Sequence, residues 1–205
     1  MNWTSLNRTT EPPVEPVTVE EVQGSERIDA DLVEDAEVLQ GYIAAARQFV
    51  EGYTNRALVE QTWTMKLADW PCDGCRRRID LPKPPLLSVT SISYVDTAGV
   101  TQTLAASEYA VHADAWGAYI VEAYGATWPS VRCQDDAITV VFLAGYAHTG
   151  TGDTLNYRAN VPAILKTAVK RHARGQYEKL KPDDREALEQ EIRNLLQLHR
   201  VAPLG

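Results

Sequence analysis

Basic charge, cysteine and long apolar runs are what this sequence has least of. Lys and Arg number 20 against 28 Asp and Glu, a formal net charge of −8. A dedicated nucleic-acid binder draws most of its affinity from basic residues that neutralise phosphates, so this balance argues against one. It argues equally against binding an anionic membrane surface. A wall that DNA slides past is compatible with it, because acidic surface repels phosphate and avoids sticking. Three cysteines among 205 residues make no disulfide framework, and a reducing cytoplasm is the expected compartment. No stretch approaches the length of a membrane span. Met1 to Pro16 are polar and proline-bearing, without the apolar run of a signal peptide. Gly-x-Ser-x-Gly, Walker and Rossmann patterns are all missing. His112, His148, His172 and His199 are scattered, none beside a Ser or Cys and an acidic partner in a recognisable nucleophile setting. No catalytic, cofactor-binding or metal-ligating residue is assigned.

What is present is an ordinary hydrophobic fraction of 44%, enough for a real core. The length suits one large domain or one domain with a sizeable insertion. Residues 1–17 contain Glu11-Pro12-Pro13 and Glu15-Pro16 and read as a flexible or extended arm. Thr18 and Glu21 have capping-box spacing for a single helical turn, which Gly24 and Ser25 are expected to break. From Asp31 to Tyr53 apolar residues recur at three and four: Leu39, Tyr42, Ile43, Ala46, Phe49, Val50 and Tyr53. That is one stripe of an amphipathic helix, with Asp29 or Asp31 as its cap and Asp31, Glu34 and Asp35 at the positive end of its dipole.

After Asn55 the period changes to two. Trp63, Met65 and Leu67 alternate with Thr62, Thr64 and Lys66 as in a half-buried strand. Further strands are expected at Arg77–Leu81, Val89–Val95, Val100–Leu104, Tyr109–His112, Tyr119–Glu122 and Ile138–Leu143. Asp96 to Gly99 reads as a hairpin turn, and Pro82, Pro84 and Pro85 as a strand end. His148 to Asn160 reads as a polar loop. Helical period returns at Val161, with Pro162 in the first turn and Ile164, Leu165, Ala168, Val169 and His172 on one face. Lys181-Pro182 is expected to stop that helix. Asp183 or Asp184 would cap a last one, whose apolar face is Leu188, Ile192, Leu195, Leu196 and His199. The expectation is an α+β fold: a helical body (residues 18–55 and 160–200), an inserted antiparallel β-rich module (56–148) and a C-terminal tail (201–205).

Candidate chemistry is sparse. Cys72 and Cys75 have the spacing of a zinc or redox pair, but no second Cys pair or His-x-x-x-His completes it, and Cys133 and His112 lie far off in sequence. Arg76-Arg77-Arg78 is short for a phosphate patch and reads as a solvated loop. Trp116, Tyr124 and Trp128 are a possible stacking patch, more naturally core or subunit interface. Asp135-Asp136 reads as a turn and Asp183-Asp184 as helix capping.

Several stretches, taken in order, carry a resemblance: Ala44 to Leu58 running into Gln61-Thr62-Trp63; Ile79 to Leu86; Ser88 to Ile92 with Tyr94-Val95-Asp96; Ile138 to Phe142 with Ala144-Gly145-Tyr146; and Val161-Pro162 opening a helix. Over about Thr18 to Arg200 the chain resembles the head–tail connector (adaptor, or head-completion) family of long-tailed phages and prophages, in its longer, β-inserted form. The resemblance implies a structural virion protein and no enzyme. Such proteins form a ring, usually of twelve subunits, beneath the portal, lengthening the DNA channel and presenting a platform for a stopper or the next neck protein. The implied partners are the portal protein, that next component and copies of itself. Genomic double-stranded DNA would pass through without sequence-specific binding, no membrane is implied, and the location is the virion neck, with the host cytoplasm during assembly. In related connectors the C-terminal helix and tail engage the portal, which here implies Leu195, Leu198, Arg200, Val201 and Leu204. Tyr42, Phe49 and Tyr53 on the long helix are the expected subunit-interface residues. The Cys72–Cys75 loop, the Arg triplet and Thr149 to Tyr157 have no counterpart in the family pattern. The competing readings are a tail-side neck or tail-completion protein and a hydrolase with a site in the β-module.

Overall fold

A computed structural model describes residues 3–26, 34–71 and 77–202. The chain divides into two compact units, a helical one from Pro13–Val59 and Tyr146–Val201, and a β-rich one from Met1–Pro12 and Glu60–Gly145 with the chain end from Ala202. This is an α+β fold, with helices and antiparallel sheets in separate units.

The helical unit contains α1 (Val19–Glu26), α2 (Glu34–Thr54), α3 (Ala163–Tyr177) and α4 (Pro182–Leu196). The capping box at Thr18 is formed: the Thr18 hydroxyl accepts the Glu21 N–H at 3.1 Å, and the Glu21 carboxylate accepts the Thr18 N–H at 3.0 Å. The expected break at Gly24-Ser25 does not occur, and α1 continues to Glu26. A helical glycine costs only about 1 kcal/mol, and Val22, fully buried, holds the turn to the core. On α2 the predicted stripe is the buried one: Leu39, Ile43, Ala46 and Val50 join the core, with Tyr42, Phe49 and Tyr53 packed along its margin. The expected caps Asp29 and Asp31 lie outside the described residues. Asn55, with φ of 56°, takes the left-handed conformation that commonly follows a helix end.

On α3 the residues Leu165, Ala168, Val169 and His172 face inward as their spacing predicts. α4 differs at its start. Lys181 is the N-cap residue and Pro182 opens the helix, so Asp183 and Asp184 are first-turn residues and not caps. Proline suits the first turn because its missing N–H has no helical partner there, and the two carboxylates meet the positive end of the dipole. Gly175 lets α4 approach closely: a Cβ there would lie 2.4 Å from Leu188 Cδ2. Leu58, Val59 and Tyr146, at the borders of the stretch read as β-rich, pack with this helical core.

The β-rich unit holds β1 (Trp3–Thr10), β2 (Gln61–Leu67), β3 (Arg78–Leu81), β4 (Leu86–Val95), β5 (Thr101–Thr103), β6 (Tyr109–Ala113), β7 (Ala118–Glu122) and β8 (Ile138–Ala144). They form a five-stranded sheet ordered β1-β2-β8-β4-β5 and a three-stranded sheet ordered β3-β7-β6, antiparallel throughout. β8 shows the period of two most clearly, burying Ile138, Val140, Phe142 and Ala144 in alternation. The predicted turn is present: the Asp96 carboxylate accepts the Ala98 and Val100 N–H groups at 2.9 Å, and Gly99 sits at φ of 86°.

The described part of the 1–17 segment is not a free arm. Trp3–Thr10 pair with β2, Leu6 opposite Met65 and Arg8 opposite Trp63, and Val17 is buried in the helical core. The polar composition that suggested a loose segment is what an edge strand carries when its stability comes from backbone pairing.

Candidate assembly interface

The segment after α4 is fastened at both ends. Arg56, itself buried, donates from Nε to the His199 carbonyl at 2.7 Å, and the Val201 N–H donates to the Thr54 carbonyl at 2.9 Å. The Arg200 guanidinium lies 5.4 Å from the Tyr53 ring centre. Between the fully buried Leu196 and these ties the turn Gln197–His199 holds Leu198 out to solvent at 84% exposure. An apolar side chain displayed from an anchored turn is a different object from one on a fraying end, because its ordering cost is already met in the free protein. Of the other residues expected at the portal, Leu195 packs partly against the chain's own helical core, Arg200 is exposed, Val201 is half-buried, and Leu204 lies outside the described residues.

The aromatic residues expected at a subunit interface have partners within their own chain. Tyr42 packs against the helical core. Phe49 stacks on His172, ring centres 4.4 Å apart, with the Arg193 guanidinium 5.5 Å from its own ring centre. Tyr53 meets Arg200 as described. The structure therefore engages all three rings in intrachain packing.

His172 is buried, and its Nδ1 has no hydrogen-bond partner. Burial, with a smaller push from Arg185 and an opposing pull from Glu189, holds its pKa below the ordinary histidine value. His199 is lowered in the same direction by burial and Arg56. The folded protein thus binds these protons less readily than the unfolded chain, so stability rises with pH up to about 6.5 and is lost as pH falls below it. Melting temperature is expected to drop between pH 7.5 and 5.5, and the drop is expected to shrink in His172→Phe, leaving the part owed to His199. An unchanged pH dependence in that variant would show that His172 does not report the burial described.

The remaining candidates disperse. Cys72, Cys75 and Arg76 lie outside the described residues. Arg77 pairs with Glu122 at 3.4 Å and Arg78 with Asp80 at 2.8 Å. Cys133 is exposed, His112 stacks on Tyr119, and no metal-sized group of three His, Cys, Asp or Glu occurs among the described residues. Trp128 turns inward and stacks on Trp70 at 4.6 Å, whereas Trp116 and Tyr124 face solvent. Asp136 sits at φ of 57° and accepts hydrogen bonds from the Thr4 hydroxyl and Lys66 Nζ, which hold its carboxyl below the usual range. That is a turn residue tying β1 to its sheet. Arg47, Glu51 and Arg56 were passed over in the sequence; the only signal was charge on the apolar side of α2, Arg47 and Glu51 being four residues apart.

Comparison with known proteins converges on one kind of molecule. Residues 16–93 match the family model described as phage gp6-like head–tail connector protein. No curated protein matches the chain. Among solved structures, a chain from the virion of a native gene transfer agent particle is 26% identical, with 98% of both chains covered and a TM-score of 0.76. Chains from the neck of the empty particle, computed with C6 symmetry, and of the native particle, computed with C12 symmetry, are each 25% identical over 98% of both chains, with TM-scores of 0.75 and 0.68. Family match and fold agree with the order of motifs along the sequence: the chain is similar to head–tail connector proteins over residues 16–93 and, along nearly its whole length, to chains from the virion and neck of gene transfer agent particles.

Proposed function

We propose that this chain is a head–tail connector and the adaptor of its particle: a ring of identical subunits, twelve in the resemblance, seated beneath the portal, extending the DNA channel and offering its far side to a stopper or tail component. The observation that carries the proposal is the near-complete cover of chains from particle necks computed with C6 and C12 symmetry. A cyclic ring needs head-to-tail contacts between unlike patches, and a structural role is consistent with the lack of any catalytic constellation in the sequence. Leu198 is the natural anchor for the portal, with Leu195 half-buried against the helical core and Arg200 and Val201 fixing the turn. Residue 204 would extend the same contact. Tyr42, Phe49 and Tyr53 would offer their outer edges to the neighbouring subunit.

Electron microscopy of this protein mixed with the portal of its own phage tests the reading. A continuous ring under the portal supports it, and bare portals with both proteins folded would move the chain to a tail-side neck position. Leu198→Asp is expected to weaken portal attachment by about tenfold, the scale of losing one buried apolar anchor. Its own stability should stay within about 0.5 kcal/mol of the parent, as for exposed positions. Attachment unchanged in Leu198→Asp would remove this residue from the interface.

A further inference from the structure

In a chain with net charge −8, α3 contains no acidic residue: Lys166, Lys170, Arg171 and Arg174 are its only charged side chains. Its inner face is apolar, with Leu165, Ala168, Val169 and His172 buried, and the basic residues share the opposite side with Ala163 and Thr167. Lys166, Lys170 and Arg174 follow one another at four-residue spacing, where like charges repel and weaken a helix. Two of the four cations are neutralised inside the chain. Arg171 pairs with Glu191, and Arg174 pairs with Glu178 at 2.8 Å and Glu26 at 3.4 Å. Lys166 and Lys170 form no ion pair among the described residues. Glu21, which shares a surface hollow with Lys166, has its carboxylate engaged in capping α1.

We infer that Lys166 and Lys170 present α3 to the phosphate backbone of double-stranded DNA inside the ring. The inference rests on the adaptor reading, since one pair of lysines becomes a circle of positive charge only when the subunit is repeated around an axis. A protein partner fits this face less well. Stable protein contacts bury aromatic or aliphatic anchors at their centre, and the strip running Ala163, Lys166, Thr167, Lys170 has none. Lysines on flexible stems give undirected, sequence-independent contacts that release and re-form as phosphates pass. The acidic remainder of the chain disfavours DNA elsewhere, which confines the contact to this face.

Rings assembled on the portal are titrated with a short fluorescent duplex of arbitrary sequence, at low and at physiological salt. A ring of the Lys166→Gln, Lys170→Gln variant is expected to bind about tenfold more weakly at low salt, with affinity that falls less steeply as salt rises. A ring carrying Lys179→Gln and Lys181→Gln, the same charge change between α3 and α4, is expected to bind as the native ring does. Equal binding by all three rings overturns the inference, and so does an equal loss in both variants, which reports net charge only. If the Lys166 and Lys170 variant is folded but no longer joins the ring, the face is a protein contact and the inference fails. Failure of the adaptor reading looks different: the native protein then forms no ring on the portal, a result visible before any DNA is added.

Discussion

Replacing Arg47 with methionine is expected to cost about 3–5 kcal/mol of unfolding free energy, the range for removing one partner of a buried ion pair. Arg47 is 3% exposed and reaches two carboxylates, Glu15 through Nε at 2.8 Å and Glu51 at 3.1 Å. Glu51 is 5% exposed, and its other oxygen accepts the Leu58 N–H at 2.9 Å. Without the guanidinium the buried Glu51 carboxylate loses this ion pair, and the 13–17 segment loses the one that ties it to α2. Urea unfolding at neutral pH measures the first effect, and limited proteolysis near residues 11–17 the second. Adding Glu51→Gln to Arg47→Met should recover part of the loss, because an amide keeps an acceptor for Leu58 without a buried charge. Arg174→Met, which breaks exposed pairs, should change stability by less than about 1 kcal/mol. A similarly small loss in Arg47→Met would mean that its pairs behave as surface pairs, against the burial seen.

Phe142→Ala is the second large effect, expected at about 3–5 kcal/mol. Phe142 is fully buried on β8, the middle strand of the larger sheet, directly opposite Trp63 on β2 and Val89 on β4. Its ring fills space that flanking strands, held by backbone pairing on both sides, cannot close by moving inward. Val141 is the internal control: it is the next residue, on the opposite and half-buried face, so Val141→Ala should cost about 1 kcal/mol or less. Chemical denaturation of both variants separates the two faces. Equal losses at 141 and 142 would contradict the alternation of burial along β8.

Much of the local structure was legible. The three-and-four spacing of Leu39, Ile43, Ala46 and Val50, the alternation at Met65 and Leu67, the capping box at Thr18 and the turn at Asp96 all appear where they were expected. Boundary signals were weaker: Gly24-Ser25 did not end α1 and Pro182 began α4, because a single breaker residue is outweighed by the packing of its neighbours or suits a first turn. The proposed function was legible through the resemblance and not through any site, since a role in assembly is carried by surfaces whose partners are other chains. Leu198 has nothing in the sequence to mark it off from Leu195 or Leu196, and yet it is exposed where Leu196 is fully buried.

The sequence by itself determined the helices and the strands β2 to β8 in their order, because side-chain period and capping are properties of a few consecutive residues. Tertiary structure decided which distant pieces meet. It placed Trp3–Thr10 on β2, some sixty residues away in sequence as Trp3 opposite Leu67 shows, joined Glu15 to Arg47, and tied Arg56 to the His199 carbonyl. Loop-closure entropy grows only slowly with the length of the intervening chain, so no local pattern records such a partner. It is chosen by which exposed edges and buried charges remain to be satisfied once the cores have formed.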